Sequence, residues 1–215
     1  MIALYTYFRS SAAYRVRIAL NLKRIDYQAV PVHLVKGGGE QKSADYLALN
    51  PQGLVPVLDV DGQVLTQSLA IMEYLDETHP DPALLPADAL GRARVRAIAQ
   101  AIACDIHPIN NLRVLRYLGG TLGLDQAAKD TWYRHWVETG LQAVEAMLAG
   151  DRRTGTFCHG DQPGLADCCL VPQVFNAKRF NCDLSAVRTI MGICQRAEAL
   201  PAFAQAAPGE QPDAE

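Results

Sequence analysis

Two β-prone runs, residues 54–60 and 63–66, flank Asp61-Gly62, and no such signal recurs beyond residue 90. Asp-Gly suits the tight turn whose two central residues take positive φ, so the pair predicts a β-hairpin. Upstream, Ile2-Ala3-Leu4-Tyr5-Thr6-Tyr7-Phe8 reads as a first strand. Ser10 and Ser11 then offer capping oxygens ahead of Ala13, Val16 and Leu20, an i, i+3, i+7 stripe. Residues 27–34 read as a second strand, and Lys36-Gly37-Gly38-Gly39-Glu40 as a loop, since three glycines carry too much chain entropy for either element. After the hairpin a helix turns Ile71, Met72 and Leu75 inward and ends at His79-Pro80-Asp81-Pro82. The order strand, helix, strand, short helix, hairpin, helix predicts a small α/β unit with a mixed sheet.

From residue 91 the periodicity is helical. Val95, Ile98, Ile102 and Ile106 recur at helical spacing, and residues 125–148 carry another such pattern around Trp132 and Trp136. Between 162 and 177 the only charge is Asp167, which predicts a central helix buried nearly all round. The expectation is therefore a domain at 1–80, a linker at 81–90 and an all-α helical bundle at 91–215, with the Pro-, Glu- and Asp-rich end (208–215) frayed. Twenty Lys and Arg against 23 Asp and Glu leave a net charge of -3, which argues against nucleic acid as a partner. No apolar run is long enough to span a bilayer, and Arg9 arrives too early for a signal peptide. The six cysteines (104, 158, 168, 169, 182, 194) contain no Cys-x-x-Cys pair, and are read as reduced thiols in the cytoplasm. Cys104 and His107 make only two candidate ligands, so no metal is expected.

Three features of the first half point to a ligand, and each also has a plainer reading. Val55-Pro56 stands before the hairpin. A cis proline there leaves the Val55 backbone to pair with an extended peptide, whereas an ordinary edge proline implies nothing. Gln67-Ser68 opens a helix, which is either an anion site or a simple cap. Arg9-Ser10-Ser11 joins the first strand to the first helix, where a serine hydroxyl can donate to a thiolate or merely cap. Together they describe a site for a short thiol peptide carrying a carboxylate.

The segment Ser10-Ser11-Ala12-Ala13-Tyr14-Arg15-Val16-Arg17-Ile18-Ala19-Leu20 closely resembles the signature of zeta-class glutathione transferases, the maleylacetoacetate isomerases. So do Asn50-Pro51-Gln52-Gly53-Leu54-Val55-Pro56, Gln67-Ser68-Leu69-Ala70-Ile71, Cys104-Asp105-Ile106-His107-Pro108-Ile109-Asn110-Asn111 and Asn176-Ala177-Lys178-Arg179-Phe180. The likeness runs in register to the Gln211-Pro212-Asp213 tail. It implies a thioredoxin-like domain with a four-stranded mixed sheet that binds glutathione, an all-α substrate domain, and a homodimer. Pro56 is then the family's cis proline and Val55 the partner of the cysteinyl backbone. Gln67 and Ser68 hold the γ-glutamyl end. Ser10, supported by Ser11, faces the sulfur, and Gln52, Leu54, Asn110 and Asn111 complete the glutathione contacts.

The implied reaction is a glutathione-dependent cis–trans isomerisation of maleylacetoacetate to fumarylacetoacetate in aromatic amino-acid catabolism. A thiolate adds to the alkene of a maleyl ketone, the resulting single bond rotates, and elimination returns the thiolate and the trans product. The small dicarboxylate substrate needs cations, for which Arg9, Arg113 and Arg179 are the candidates because a guanidinium binds carboxylates bidentately. His107 is either a donor to substrate or a histidine satisfied at a helix bend imposed by Pro108. Ala12 stands where the family usually has cysteine, which removes chemistry needing a protein thiol but not isomerisation. Gly164 replaces the family's Thr or Ser cap opposite Asp167. Two other readings remain: maleylpyruvate isomerase of the gentisate pathway, and a non-enzymatic glutathione-binding or regulatory protein.

Overall fold

The structure is a computed structural model that describes residues 1–215. Its regular elements are β1 (Ile2–Thr6), α1 (Ser11–Leu22), β2 (Gln28–Pro31), α2 (Ala44–Leu49), β3 (Val57–Val60), β4 (Gln63–Thr66) and α3 (Ser68–Thr78). Then follow α4 (Ala89–Gln100), a π-helical stretch (Ala101–Ile106), α5 (His107–Ile109), α6 (Leu112–Gly120), α7 (Gln126–Ala149), α8 (Leu165–Arg179), α9 (Arg188–Glu198) and α10 (Pro201–Ala204). Two compact units result, Met1–Leu84 with Ala199–Glu215, and Leu85–Glu198.

In the first unit the sheet order is β2-β1-β3-β4, with β1 parallel to β2 and the other pairs antiparallel. Asp61 and Gly62 take φ of 50° and 85°, the two positive values that the hairpin turn requires. Two expected strands are shorter than read. The second is Gln28–Pro31, and β3 begins at Val57 because Pro56 has no N–H to donate to a ladder. The Leu54 carbonyl is turned to Tyr46 Oη and Asn50 Nδ2, each at 2.8 Å. Helices α1 and α3 pack together, burying Ile18, Leu20, Ile71, Met72 and Leu75 completely. Lys23 closes the end of α3: its ammonium donates to Asp76, to the His79 carbonyl and to the Pro82 carbonyl at 2.6–2.8 Å, using all three protons.

The tail departs from expectation. It does not fray, and it belongs to the first unit. Phe203 and Ala206 are fully buried, α10 lies on α1, and the half-exposed Asp213 accepts from Phe8 N–H. A polar composition hid these specific bonds.

In the second unit α8 is the buried central helix, with every residue from Leu165 to Val174 buried. Gly164 is its N-cap. Asp167 accepts from Gly164 N–H and from Cys158 N–H, both at 2.9 Å, tying the preceding loop to the helix start. In α7 the buried stripe is Tyr133, Val137, Leu141, Val144 and Leu148, one residue along from the two tryptophans. Pro108 does not break the helix sharply. The wide π turn before it, in which His107 N–H reaches back five residues to the Ile102 carbonyl, gives the ring room, and helix continues to Ile109. No helix is long and apolar enough to cross a membrane.

Candidate functional site

The sheet register gathers the sequence signals of the first unit. Tyr5 pairs with Val57 and Val57 with Thr66, so the end of β1, the start of β3 and the end of β4 share one end of the sheet. The segments that emerge there are Tyr7–Ser11, Leu54–Pro56 and Gln67-Ser68. Ligands of open α/β sheets bind where strands feed helix N-termini.

Ser10 is the N-cap of α1, and its Oγ accepts from Ala13 N–H at 3.2 Å. A hydroxyl acting as acceptor in this way still has its own proton to donate. Ser10 is half-buried, Ser11 is buried, and Arg9 is exposed with its guanidinium 4.7 Å from the centre of the Phe8 ring. The Ala12 N–H, in the first turn, has no partner within the chain. The Val55–Pro56 bond is cis, and neither the N–H nor the C=O of Val55 makes a hydrogen bond. Both face the requirement of an extended peptide.

Gln67 has φ of 70°, unusual for a residue with a side chain, and donates through Nε2 to Gln52 Oε1 at 2.8 Å. Ser68 is buried at the start of α3, where its Oγ accepts from Arg15 Nη1 at 3.2 Å. Leu54 spends its carbonyl on Tyr46 and Asn50. An unpaired backbone edge, two helix N-termini and serine protons at both are the donor set that a thiol peptide with a free carboxylate needs. Glutathione fits it.

The candidates in the second unit are more scattered. Asn110 is buried and donates to the Ile106 carbonyl at 3.2 Å, while its Oδ1 is enclosed without a partner. Asn111 caps α6 through Arg113 N–H at 3.1 Å. Arg113 and Arg179 are exposed, the latter over the Phe180 ring at 4.9 Å, and His107 is half-buried. A cavity of about 590 Å³ lies between α6 and α7, and it is not lined by Arg113, Arg179 or His107. Its cations are Arg116 and Lys129, beside Leu112, Leu115 and Phe180. Nothing in the sequence separates these two from other helix-surface cations. No three His, Cys, Asp or Glu side chains converge as a metal site.

Sequence reading also missed two arginines inside the first unit, Arg15 at 1% and Arg17 at 0% exposure. A signal existed: α1 has no acidic residue, and its arginines interrupt an otherwise apolar run.

A family model for the glutathione S-transferase N-terminal domain matches residues 9–78. The maleylacetoacetate isomerase of Pseudomonas aeruginosa is 52% identical over 211 residues, covering 98% of this chain and 97% of that protein. A solved maleyl pyruvate isomerase, described as a bacterial zeta-class glutathione S-transferase, superposes with a TM-score of 0.96 at 51% identity over 99% of this chain and all of that one. Maleylacetoacetate isomerase from Anaeromyxobacter dehalogenans, solved with glutathione in its active site, gives a TM-score of 0.88 at 43% identity, covering all of this chain and 98% of that one. With its thioredoxin-like sheet, its helical second unit and relatives of this identity along its whole length, the chain belongs to the maleylacetoacetate isomerase family of zeta-class glutathione transferases.

Proposed function

We propose that this protein is a glutathione-dependent cis–trans isomerase that converts maleylacetoacetate to fumarylacetoacetate. The observation that carries the reading is the meeting of Ser10, the unpaired Val55 backbone and the Gln67-Ser68 helix start at one end of the sheet. Bound glutathione supplies a thiolate that adds reversibly to the maleyl alkene and leaves again after the carbon–carbon bond has turned. The chain's part is to hold and tune that sulfur. The Ser10 hydroxyl donates to it, and the α1 N-terminus, with its unpaired Ala12 N–H, adds a partial positive charge that favours the anion. Val55 pairs with the cysteinyl backbone, and Gln67 and Ser68 take the γ-glutamyl carboxylate, with Gln52 holding Gln67 in place. Arg9, Arg113 and Arg179 are the cations for the substrate carboxylates, Asn110 and Asn111 add polar contacts, and His107 donates to the ketone oxygen that gathers charge.

Maleylpyruvate is the second reading, supported almost equally: the chain is 51% identical to the maleyl pyruvate isomerase and 52% to the Pseudomonas enzyme. We assign the protein to the cytoplasm, where six free thiols stay reduced, and to a homodimer. The deciding experiment follows loss of maleyl-ketone absorbance for both acids side by side, with and without glutathione. Faster, strictly glutathione-dependent turnover of maleylacetoacetate is expected. Preference for maleylpyruvate selects the second reading, and absence of glutathione binding in calorimetry leaves a non-enzymatic protein.

A further inference from the structure

The loop that presents Ser10 is held from behind by groups that touch neither glutathione nor substrate in the reading above. Arg17 is completely buried under it. Its Nη2 donates to the Phe8 carbonyl at 3.0 Å, its Nη1 to Thr6 Oγ1 at 3.0 Å and the Tyr7 carbonyl at 3.4 Å, and its Nε to the Ala206 carbonyl at 3.0 Å. A planar guanidinium ties residues 6–8 to the C-terminal tail in this way. Burial lowers its pKa to about 10, still far above neutrality, so the donors remain charged.

On the other side of the Tyr7–Phe8 peptide, whose carbonyl takes Arg17 Nη1, Phe8 N–H donates to Asp213 Oδ2 at 3.0 Å, across 205 positions of sequence. The tail that carries Asp213 is itself anchored. Buried Gln211 donates to the Gln205 and Ala207 carbonyls, both at 2.9 Å. From Phe8 the chain reaches Ser10 in two residues, and Ser10 N–H closes the turn on the Tyr7 carbonyl at 2.9 Å. Any tilt of the Phe8 peptide is therefore passed to the Ser10 hydroxyl.

We propose that the C-terminal tail is a positioning element for the reaction: Asp213 and Arg17 grip the Phe8 peptide from both sides and fix where Ser10 stands. The proposal rests on Ser10 being the hydroxyl that faces the glutathione sulfur. Its logic is geometric, because a donor to a developing or resting anion loses most of its effect when displaced by a fraction of an ångström.

Asp213→Ala removes the acceptor from Phe8 N–H. Asp213→Asn keeps an acceptor oxygen, and its amide nitrogen takes the place of Oδ1, which is buried and makes no hydrogen bond. Three readouts are taken on the full-length protein with glutathione itself: kcat for the maleyl keto acid, the dissociation constant for glutathione, and the pH titration of thiolate ultraviolet absorbance in the complex. Asp213→Ala is expected to lower kcat roughly tenfold and raise the thiol pKa, with glutathione affinity held within about threefold. Asp213→Asn is expected to restore both within about threefold of wild type. An Ala variant with wild-type kcat and thiol pKa overturns the proposal, and so does an Asn variant as impaired as Ala. A wild-type complex with no thiolate signal overturns instead the underlying assignment of the sulfur site.

Discussion

Ser10→Ala removes one oxygen with two separable duties. As the N-cap of α1, Ser10 Oγ takes the Ala13 N–H at 3.2 Å, and losing such a cap costs about 1 kcal/mol of stability. As a donor to a sulfur anion it makes a charge-assisted hydrogen bond worth about 1.5–3 kcal/mol. Since one pKa unit corresponds to about 1.4 kcal/mol, the thiol of bound glutathione should rise by one to two units. The thiolate fraction near neutrality, and with it kcat, then falls roughly ten- to a hundredfold.

The two duties respond differently to glycine, which caps nearly as well as serine but has no hydroxyl. Stability by urea denaturation should follow the order Ser, Gly, Ala, with Gly within a few tenths of a kcal/mol of Ser. Isomerase activity should instead place Gly with Ala, both far below Ser, while calorimetry still detects glutathione. Full turnover in Ser10→Ala removes the hydroxyl from the chemistry. Retained activity in Ser10→Gly alone would trace the loss to the cap, and the reasoning about the sulfur would be wrong.

Arg179→Ala should raise KM for the keto acid roughly tenfold with kcat and glutathione affinity little changed, as expected for a ground-state carboxylate clamp; an unchanged KM ends that role. Gly140→Ala places a methyl 2.6 Å from Ile106 Cδ1 in a buried contact between α7 and the π turn. Overpacking of about 1–3 kcal/mol outweighs the helix-propensity gain of up to about 1, so denaturation should show net loss, turning to gain in an Ile106→Ala background. Asp151 is held below the usual carboxylate range, first by its hydrogen bonds to Arg153 and then by Arg94. A depressed folded pKa contributes stability above the unfolded value of 3.8 and loses it as pH falls through the folded one. The stability gap between wild type and Asp151→Asn should be constant at neutral and mildly acidic pH and close in strong acid.

What the sequence revealed and what it hid divide along a physical line. Asp61-Gly62, the α1 stripe and the lone charge of α8 are local patterns, and each has its expected place. The start of β3 lies later than read because 54–60 is one continuous β-prone run in sequence, while Pro56 lacks an N–H and Tyr46 and Asn50 claim the Leu54 carbonyl from a distance. Arg15 and Arg17 interrupt an apolar run with no acidic residue beside them, which hints at burial, but what holds them is visible only once their acceptors are assembled. The same holds for Asp213, whose partner lies at the other end of the chain. In the second unit, the arginines chosen by motif and the cations that line the cavity are different residues. Motif position and cavity wall are set by separate constraints, the first by local sequence and the second by packing of α6 on α7.

Ala12 sharpens which thiol can act. All six cysteines lie between positions 104 and 194, so the unit that carries Ser10 contains none. Cys158 and Cys194 are buried with their thiol pKa values raised by desolvation, which makes them poor nucleophiles. The unit that carries Ser10 has no thiol of its own, so the thiolate at the α1 N-terminus is that of bound glutathione, and isomerisation without it should be undetectable. Ala12→Cys tests the converse. The position is half-buried in the first helical turn, beside a serine whose oxygen is already committed to Ala13 N–H. A thiol introduced there would be acidified by the helix N-terminus and placed to form a mixed disulfide with glutathione. Disulfide exchange should appear in this variant, and isomerase kcat should stay within about twofold, because addition and elimination use only the sulfur of glutathione. A rise of tenfold or more would show that the protein thiol assists the reaction, and that the chemistry assigned to glutathione alone is incomplete.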